Sequence, residues 1–207
     1  MNKLTIALPK GRLADKAMDL IKKCGIDIPD VQDERKLIVN DITGEYRFLF
    51  VKPVDVPTYV ERGTADIGFS GKDTIMEEGK DIYELLDLKI GKCKLCIAGK
   101  SSKELKKGHS IRVATKYPNI AKKYFESKLI TADIIELNGS VELAPITDLS
   151  DVILDIVESG ATLKSNGLKV LEDIADVSVR LIANKVSFKT KYDIINPIIK
   201  SLEVLAG

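Results

Sequence analysis

The chain has 207 residues, of which 44% are hydrophobic and 30% are charged, as in ordinary globular proteins. Its 32 basic and 31 acidic residues nearly cancel, so no basic surplus points to nucleic acid, and a charged ligand must be bound by local clusters. The N-terminal apolar run, Leu4 to Leu8, ends at Pro9 and is too short for a signal peptide or a membrane span. Three cysteines, an odd number, suit a reducing compartment, so we expect a cytoplasmic protein.

Short apolar, β-branched runs alternate with amphipathic stretches, which predicts an α/β fold with mixed, mostly parallel sheets. The predicted strands are 4–8, 36–40, 46–51, 65–70, 94–99, 111–115, 132–137, 151–157 and 179–184. The predicted helices are 12–24, 55–63, 72–79, 117–128 and 191–205. The pattern breaks near 89–93, and a return near 180–187 would bring the last helix back to the first lobe. We therefore expect one lobe of residues 1–90 with 181–207, and a second lobe of residues 91–180.

A predicted strand, a glycine and two cations meet in the stretch "LPKGR" (8–12), directly before a predicted helix. Ligands of α/β proteins lie beyond the carboxyl ends of strands, where N–H groups at a helix start attract anions. Lys10 and Arg12, on either side of Gly11, would strengthen a phosphate site. Two ordinary solvated charges in a turn are the alternative interpretation.

The stretch "ERGTADIGFSGKD" (61–73) contains three glycines but fits neither standard nucleotide motif. The glycine spacing departs from GxGxxG, and Asp73 follows Gly71-Lys72 where a P-loop needs Ser or Thr to meet magnesium. The end of this strand can still place backbone N–H groups against a ligand. A plain tight connection is an equal alternative.

The junction "ATKYPN" (114–119) repeats the first arrangement: a strand, a cation and then a helix start. Pro118 suits the first turn of a helix. Lys116 is therefore a candidate ligand contact, and an ordinary exposed lysine is the alternative.

The pair Cys93 and Cys96 forms a lone CxxC. Zinc would need two more ligands, and the chain offers only Cys24 and a single histidine, His109, in a polar turn. Residues three apart in a strand also point to opposite faces. We therefore expect a structural or incidental pair, and no protein metal site.

The stretch "DIVESGATL" (155–163) ends an apolar strand with two carboxylates and four small residues, which are unsuited to a core. Hydroxyls and backbone N–H groups of residues 159–162, before a probable helix, would form a concave turn that binds a phosphate monoester. Asp155 and Glu158 would repel phosphate, so they need two ribose hydroxyls or a magnesium ion as partners. A ribose 5-phosphate site is one interpretation, and a helix cap with incidental acids is the other.

Together these stretches resemble the short form of ATP phosphoribosyltransferase, the enzyme that opens histidine biosynthesis, over nearly the whole chain. The matching motifs are "LPKGRL" (8–13), "DVPTYVERGTADIGFSGKD" (55–73), "YELLDLKIGKCKL" (83–95), "RVATKYPNIAKKYF" (112–125), "LNGSVELAP" (137–145), "DLSDVILDIVESGATLKSNGL" (148–168) and "RLIANKVSFK" (180–189). The resemblance implies two α/β lobes like those of type II periplasmic binding proteins, with the active site in the cleft between them. It also implies transfer of phosphoribosyl from phosphoribosyl pyrophosphate to N1 of the adenine of ATP, with Mg²⁺ bound mainly through substrate phosphates.

The resemblance also assigns residues. Those near the phosphates and reacting groups, taken as catalytic, are Lys10, Arg12, Arg35 and Lys52. Those that bind phosphoribosyl pyrophosphate are Asp155, Glu158, Ser159, Gly160, Ala161 and Thr162. Those that bind ATP or both substrates are Gly11, Gly71, Asp73, Lys116 and Glu142. Two positions depart from the pattern: Leu154 replaces the first acid of the broader phosphoribosyltransferase loop, and Lys52 replaces an arginine common in relatives, which loses a bidentate fork.

The resemblance implies partners as well. Long-form relatives continue into a histidine-binding regulatory domain, whereas this sequence ends at Gly207 after one predicted helix. We therefore expect a separate regulatory subunit resembling histidyl-tRNA synthetase, a homodimer within a hetero-oligomer, and no nucleic-acid or membrane partner. A non-catalytic solute-binding module of the same fold is the alternative. A purine-salvage phosphoribosyltransferase is a weaker one, disfavoured by Leu154.

Overall fold

The computed structural model describes residues 3–29, 36–100 and 110–207, and the backbone divides into two compact units. The first unit is Met1–Gly91 with Ser178–Gly207, and the second is Lys92–Val177. The strands are β1 (Leu4–Pro9), β2 (Ile38–Asn40), β3 (Tyr46–Val51), β4 (Ile67–Gly71), β5 (Tyr83–Asp87), β6 (Cys93–Gly99), β7 (Ser110–Thr115), β8 (Thr131–Glu136), β9 (Val152–Val157), β10 (Lys169–Val177) and β11 (Val179–Ala183). The helices are α1 (Arg12–Lys23), α2 (Val56–Glu61), α3 (Lys72–Glu78), α4 (Pro118–Ser127), α5 (Leu143–Ile146), α6 (Ala161–Ser165), α7 (Lys185–Thr190) and α8 (Tyr192–Ala206). Within these described ranges, no helix is long and apolar enough to cross a membrane.

The first unit is built on a six-stranded sheet of order β2-β3-β1-β4-β11-β5. The alternation of side chains along β1 sends Leu4, Ile6 and Leu8 into a core shared with α1 and α8. Ala7 points to the opposite face and packs with Val60 of α2. Helices therefore cover both faces of this sheet, which leaves the loops at the strand ends for function.

A buried carboxylate fastens the C-terminal helices to the first unit. Asp66 accepts hydrogen bonds from the backbone N–H of Thr5 at 2.8 Å and the hydroxyl of Ser187 at 2.6 Å. The Nζ of Lys191 lies 2.7 Å from the same carboxylate and also donates to the carbonyl of Lys3 at 2.9 Å. Because Asp66 is only 4% exposed, its charge is satisfied almost entirely by these groups. The return of the chain to the first unit is thus specified by a polar contact as well as by apolar packing.

The second unit is built on a five-stranded sheet of order β10-β6-β9-β7-β8. One face carries a small core that includes Ala98, Ala114, Ile153 and Leu163, and Leu163 brings α6 onto the sheet. Helix α4 packs against β7 and β8. The carboxyl ends of β7, β8 and β9 are adjacent because these three strands are parallel.

The sheets are mixed, but they are less parallel than the alternating sequence pattern predicted. Parallel pairing is confined to β3-β1-β4 in one sheet and β9-β7-β8 in the other. Strands β11 and β6 run antiparallel to both of their neighbours. Four described elements were not predicted: the strands β5 and β10 and the short helices α5 and α7.

Candidate functional site

Three parallel strands of the first unit end side by side, and each is followed by candidate site residues. Pro9 of β1 pairs with Val51 of β3, so Lys10 and Lys52 are the next residues on neighbouring strands. The backbone N–H of Lys10 donates to the carbonyl of Val51 at 2.8 Å, which fixes the two ends together. Both lysine side chains are exposed. This edge of the sheet therefore presents two cations to solvent, at the location where α/β proteins bind ligands.

Gly11 forms the turn from β1 into α1 in a conformation that other residues rarely adopt. Its φ is +92°, in the left-handed region, and its carbonyl accepts the N–H of Ala14 at 2.8 Å. Space does not restrict the position, since a Cβ there would have no heavy atom within 4 Å. The glycine is thus required by backbone geometry. Arg12 begins α1, but its side chain is outside the described part of the structure, and Arg35 lies outside the described residues altogether.

Gly71 ends β4, on the other side of β1 from Lys52. A Cβ on Gly71 would lie 2.3 Å from Oδ1 of Asp73, so the glycine allows this carboxylate to lie against the backbone. The intervening Lys72 forms an ion pair with Oε2 of Glu84 at 2.5 Å. Gly71 and Asp73 therefore form one compact turn at the strand end.

The second unit repeats the arrangement and brings a candidate cation and acid together. Lys116 follows β7, Asp155 lies in β9, and their Nζ and Oδ1 atoms are 3.9 Å apart. The Lys116 Nζ also lies 4.8 Å from the centre of the Tyr117 ring. The ammonium is thus held by a carboxylate and an aromatic face, and it is still 38% exposed. A partly exposed cation with a fixed position is suited to binding an anionic ligand.

The loop after β9, for which a concave turn is predicted, connects this strand to α6. Glu158 and Ser159 are exposed, and Gly160 turns the chain with a φ of +72°. The Ser159 Oγ accepts the N–H of Ala161 at 3.3 Å, and the carbonyl of Gly160 accepts the N–H of Lys164 at 3.0 Å. The loop keeps this shape through its own hydrogen bonds, and its hydroxyls remain at the surface.

Thr162 is exposed in the first turn of α6. Its carbonyl accepts a hydrogen bond from Nδ2 of Asn166 at 2.9 Å, while Leu163 is buried beneath it. This short helix has only five residues, so its dipole is weaker than the full macrodipole of a long helix. Any attraction of this loop for an anion therefore depends mainly on its hydroxyl and amide donors.

Glu142 is placed in the connection that follows β8. It is half-buried and directly precedes α5, in tight turns in which Leu143 N–H donates to the carbonyl of Ser140 at 3.1 Å. The backbone of Leu137 donates to the carbonyl of Thr115 at 2.9 Å, so this connection leaves the sheet beside β7. Glu142 thus belongs to the same edge of the second sheet as Lys116.

The CxxC pair lies at the start of β6, beside the carboxyl end of β9, where Cys96 is the register partner of Asp155. Cys96 is buried and Cys93 is partly exposed. Burial, with help from the Asp173 carboxylate 3.4 Å from Sγ, raises the pKa of Cys96 to about 12. A thiol with that pKa is protonated at neutral pH and is a poor nucleophile or metal ligand. No group of three His, Cys, Asp or Glu side chains suited to a metal occurs among the described residues. His109 lies outside the described residues.

Sequence reasoning missed Thr115, the last residue of β7. This side chain is fully buried and hydrogen-bonds to the backbone of Leu154 and of Tyr117. A threonine three residues before the start of a helix is typical of a hydroxyl-stabilised turn, and that signal was available. Its contact with β9 depended on the strand order, which the sequence does not display.

The two strand-end groups have different chemistry. The first unit presents cations, which suit phosphates. The second presents hydroxyls, an acid and a paired cation, which suit a phosphate and a diol. Neither group contains a serine or cysteine activated by a histidine, and the geometry therefore favours stabilisation of charge over covalent catalysis.

Comparison with known proteins identifies the family. Residues 52–204 match the sequence model of the HisG family, described as ATP phosphoribosyltransferase. A protein named ATP phosphoribosyltransferase from Lachnoclostridium phytofermentans is 54% identical over 99% of this chain and 98% of its own length. One of the same name from Caldicellulosiruptor bescii is 55% identical over 97% of this chain and 99% of its own.

A solved structure has the same fold. It is described as the ATP phosphoribosyl transferase (HisG:HisZ) complex from Thermotoga maritima, with a TM-score of 0.86 and 36% identity over 98% of both chains. The family match covers more than half of the chain, and the curated relatives cover nearly all of it. The chain therefore belongs to the ATP phosphoribosyltransferase family.

Proposed function

We propose that this chain is the catalytic subunit of a short-form ATP phosphoribosyltransferase. It transfers the 5-phosphoribosyl group from phosphoribosyl pyrophosphate to N1 of the adenine of ATP, giving N1-(5-phosphoribosyl)-ATP and pyrophosphate in the first step of histidine biosynthesis. The observation that carries this proposal is similarity along nearly the whole chain to proteins named for the reaction, at 54% and 55% identity. The same similarity disfavours a non-catalytic solute-binding module.

The reaction needs little acid–base chemistry. The bond that forms joins adenine N1 to C1 of the ribose, and the bond that breaks joins C1 to an oxygen of pyrophosphate, which leaves with both electrons. Adenine N1 already carries a lone pair at neutral pH, so no strong base is needed to create the nucleophile. The barrier lies in the departure of pyrophosphate while positive charge grows on C1. Fixed cations beside the leaving group lower this barrier, each by about 3 kcal/mol.

We assign that task to the cations of the first unit. Lys10 and Lys52 stand on adjacent strand ends, and Arg12 and Arg35 complete the set by the family pattern. The substitution of an ammonium at Lys52 for the common arginine keeps the charge and removes the bidentate fork. Lys52 therefore acts as a point charge on a phosphate.

We assign phosphoribosyl pyrophosphate to the loop of the second unit. The exposed hydroxyls of Ser159 and Thr162 and the backbone around Gly160 and Ala161 suit the 5-phosphate, because the loop is already shaped by its own hydrogen bonds. Carboxylates accept hydrogen bonds from adjacent hydroxyls, so Asp155 and Glu158 are assigned to the ribose diol. The remaining contacts, to ATP or to both substrates, are assigned to Gly11, Gly71, Asp73, Lys116 and Glu142.

The residues of this site fit a magnesium ion that the substrates bring with them. Mg²⁺ is usually bound by one or two carboxylates together with substrate phosphates, and it keeps several waters. The described chain has no ready-made cluster of three ligating side chains, and its loop offers Asp155 and Glu158. The ion would be held mainly by the substrate phosphates, because Asp155 and Glu158 are already assigned to the ribose diol. When bound, magnesium neutralises charge on the pyrophosphate.

We also propose a regulatory partner and a location. The structure from Thermotoga maritima is of a HisG:HisZ complex, and we infer that this chain likewise assembles with a regulatory subunit, as a homodimer within a hetero-oligomer. A biosynthetic enzyme that consumes ATP belongs in the cytoplasm.

One assay tests the proposal. The chain is mixed with ATP, Mg²⁺ and phosphoribosyl pyrophosphate, alone and with its partner subunit, and formation of the N1 adduct and of pyrophosphate is followed. We expect both products in equal amounts and dependence on all three reactants. Ligand binding without turnover under every partner condition would support the solute-binding module instead.

A further inference from the structure

We infer that Thr115 is a positioning residue, which holds Lys116 and Asp155 in the arrangement that binds substrate. The inference rests on the proposed assignment of these two charged residues to the substrates. Because the Thr115 side chain is fully buried, any effect on catalysis must act through its neighbours.

The hydroxyl of Thr115 joins two strand ends and a turn. Its Oγ1 donates to the carbonyl of Leu154 at 2.7 Å and accepts the N–H of Tyr117 at 2.9 Å. Thr115 and Leu154 are also the last pair in the register between β7 and β9. One side chain thus fastens the end of β7 to β9 and fixes the first residues of the turn that follows.

Both charged side chains are adjacent to these fixed points. Lys116 lies between Thr115 and Tyr117, and Asp155 follows Leu154 directly. The separation of 3.9 Å between the Lys116 Nζ and the Asp155 Oδ1 therefore depends on the two backbones that the hydroxyl connects. Without the hydroxyl, a buried carbonyl and a buried N–H lose their partner, and the strand ends are expected to shift to recover one.

Threonine is better suited to this task than other small residues. Its β-branched side chain has restricted χ1 freedom, so the hydroxyl is held toward Leu154 with little loss of entropy. Valine has the same shape without the hydroxyl, and serine has the hydroxyl without the branch. Comparing these two substitutions separates the effect of losing the hydrogen bonds from the effect of losing the packing of the branched side chain.

The first experiment compares T115V and T115S, with the partner subunit present, by steady-state kinetics for both substrates. We expect T115V to raise the KM for phosphoribosyl pyrophosphate about tenfold. We expect T115S to stay within about threefold of the wild type. Ser150→Ala is the matched control, because Ser150 is also buried and its hydroxyl has no hydrogen-bond partner among the described residues. If T115V is too unstable to purify, T115A is measured by the same criteria.

The second experiment places T115V in the background of K116A and D155N. If Thr115 acts through these two side chains, the further change in KM is less than about twofold, because residues that act together are not additive. A full tenfold effect in that background would indicate a general structural role and overturn the inference. So would wild-type kinetics of T115V.

The kinetics of the K116A D155N background distinguish the inference from the proposal beneath it. If that variant has wild-type KM values for both substrates, the site assignment is refuted, and the inference with it. If K116A D155N has a raised KM while T115V alone has wild-type KM values, only the positioning role of Thr115 is refuted.

Discussion

Asp155 and Thr162, both assigned to the ribosyl donor, lie on the two elements that flank the loop after β9. Asp155 is held in β9 beside Lys116, whereas Thr162 is exposed in the first turn of α6. We expect Asp155→Asn and Thr162→Val each to raise the KM for phosphoribosyl pyrophosphate about tenfold, because each removes a hydrogen bond to a polar ligand. The KM for ATP should change far less. Steady-state kinetics with Ser165→Ala as an exposed control would test this, and equal effects on both substrates would undo the assignment.

Gly160 provides a test that separates strain from binding. Gly160 and Gly167 have similar left-handed backbones, with φ of +72° and +68°, but only Gly160 lies in the proposed phosphate loop. An alanine at either position costs about 1 kcal/mol in the free energy of unfolding. We expect urea unfolding to give similar losses for both variants, and only Gly160→Ala to raise the KM for phosphoribosyl pyrophosphate. A similar rise for Gly167→Ala would mean that strain in α6, not loop geometry, weakens binding.

Some site residues follow from local sequence and others do not. Lys10, Lys52 and Lys116 each come directly after a strand, and the carboxyl ends of parallel strands share one edge of a sheet. Their approximate location was therefore accessible from the strand pattern. The partner of Thr115 was not, because Leu154 is 39 residues away and the contact exists only once β7 pairs with β9. Buried polar contacts of this kind depend on tertiary structure.

At the level of elements, Asp87 links the end of β5 to β11 and makes stability depend on pH. Its carboxylate accepts hydrogen bonds from the Ser178 hydroxyl at 2.6 Å and the Lys89 N–H at 2.9 Å, and Arg180 Nη1 lies 3.0 Å away. Burial alone would raise the pKa of Asp87. The two hydrogen bonds and the Arg180 cation outweigh burial, however, and lower the pKa below its ordinary value of 3.8. The resulting stabilisation is complete above that ordinary value and is lost as the pH falls through the lower pKa of the folded state.

The pH dependence can be checked by urea unfolding of the wild type and Asp87→Asn. We expect a difference in unfolding free energy that is constant from pH 7 to about pH 5 and shrinks below about pH 4. In Ser178→Ala the pH-dependent loss should be smaller and should be complete at a higher pH, because removal of one hydrogen bond raises the pKa of Asp87 in the folded state. A difference that is the same at pH 7 and pH 3 would contradict this account.

The unpredicted elements carry weaker sequence patterns than the predicted ones. Strand β10 lies at the edge of its sheet, carries charged residues and has two register irregularities against β6, so it lacks simple alternation. Strand β5 is also an edge strand. Helices α5 and α7 have four and six residues, so each shows at most two turns of a helical period. The long amphipathic helices and the buried strands were predicted because their hydrophobic periodicity agrees with the structure that they adopt in the fold.

At the scale of the whole molecule, the discontinuity of the first unit is the feature that sequence patterns describe least well. The contact between Lys191 and Asp66 spans 125 residues, and the intervening chain includes the entire second unit. A break in periodicity marks where a chain leaves a unit. It does not predict which charged side chains pair when the chain returns to that unit.

The proposed assembly leads to a prediction about feedback by histidine. The chain matches relatives such as that of Caldicellulosiruptor bescii over 99% of their length, and the similar solved structure is of a HisG:HisZ complex. We therefore expect the purified chain to show little inhibition by histidine and to become sensitive when the regulatory subunit is added. We expect histidine to inhibit by lowering the affinity of the complex for a substrate. By linkage, that substrate must then lower the affinity for histidine by the same factor.

Two measurements test this coupling. Initial rates are recorded against histidine concentration for the chain alone and for the complex, and calorimetry measures histidine binding with and without phosphoribosyl pyrophosphate. We expect binding only when the partner is present, with an affinity that falls about 5- to 150-fold when the ribosyl donor is added. Potent inhibition of the isolated chain would place the regulatory site in this polypeptide. Inhibition of the complex with no change in histidine affinity on adding either substrate would exclude the coupled mechanism.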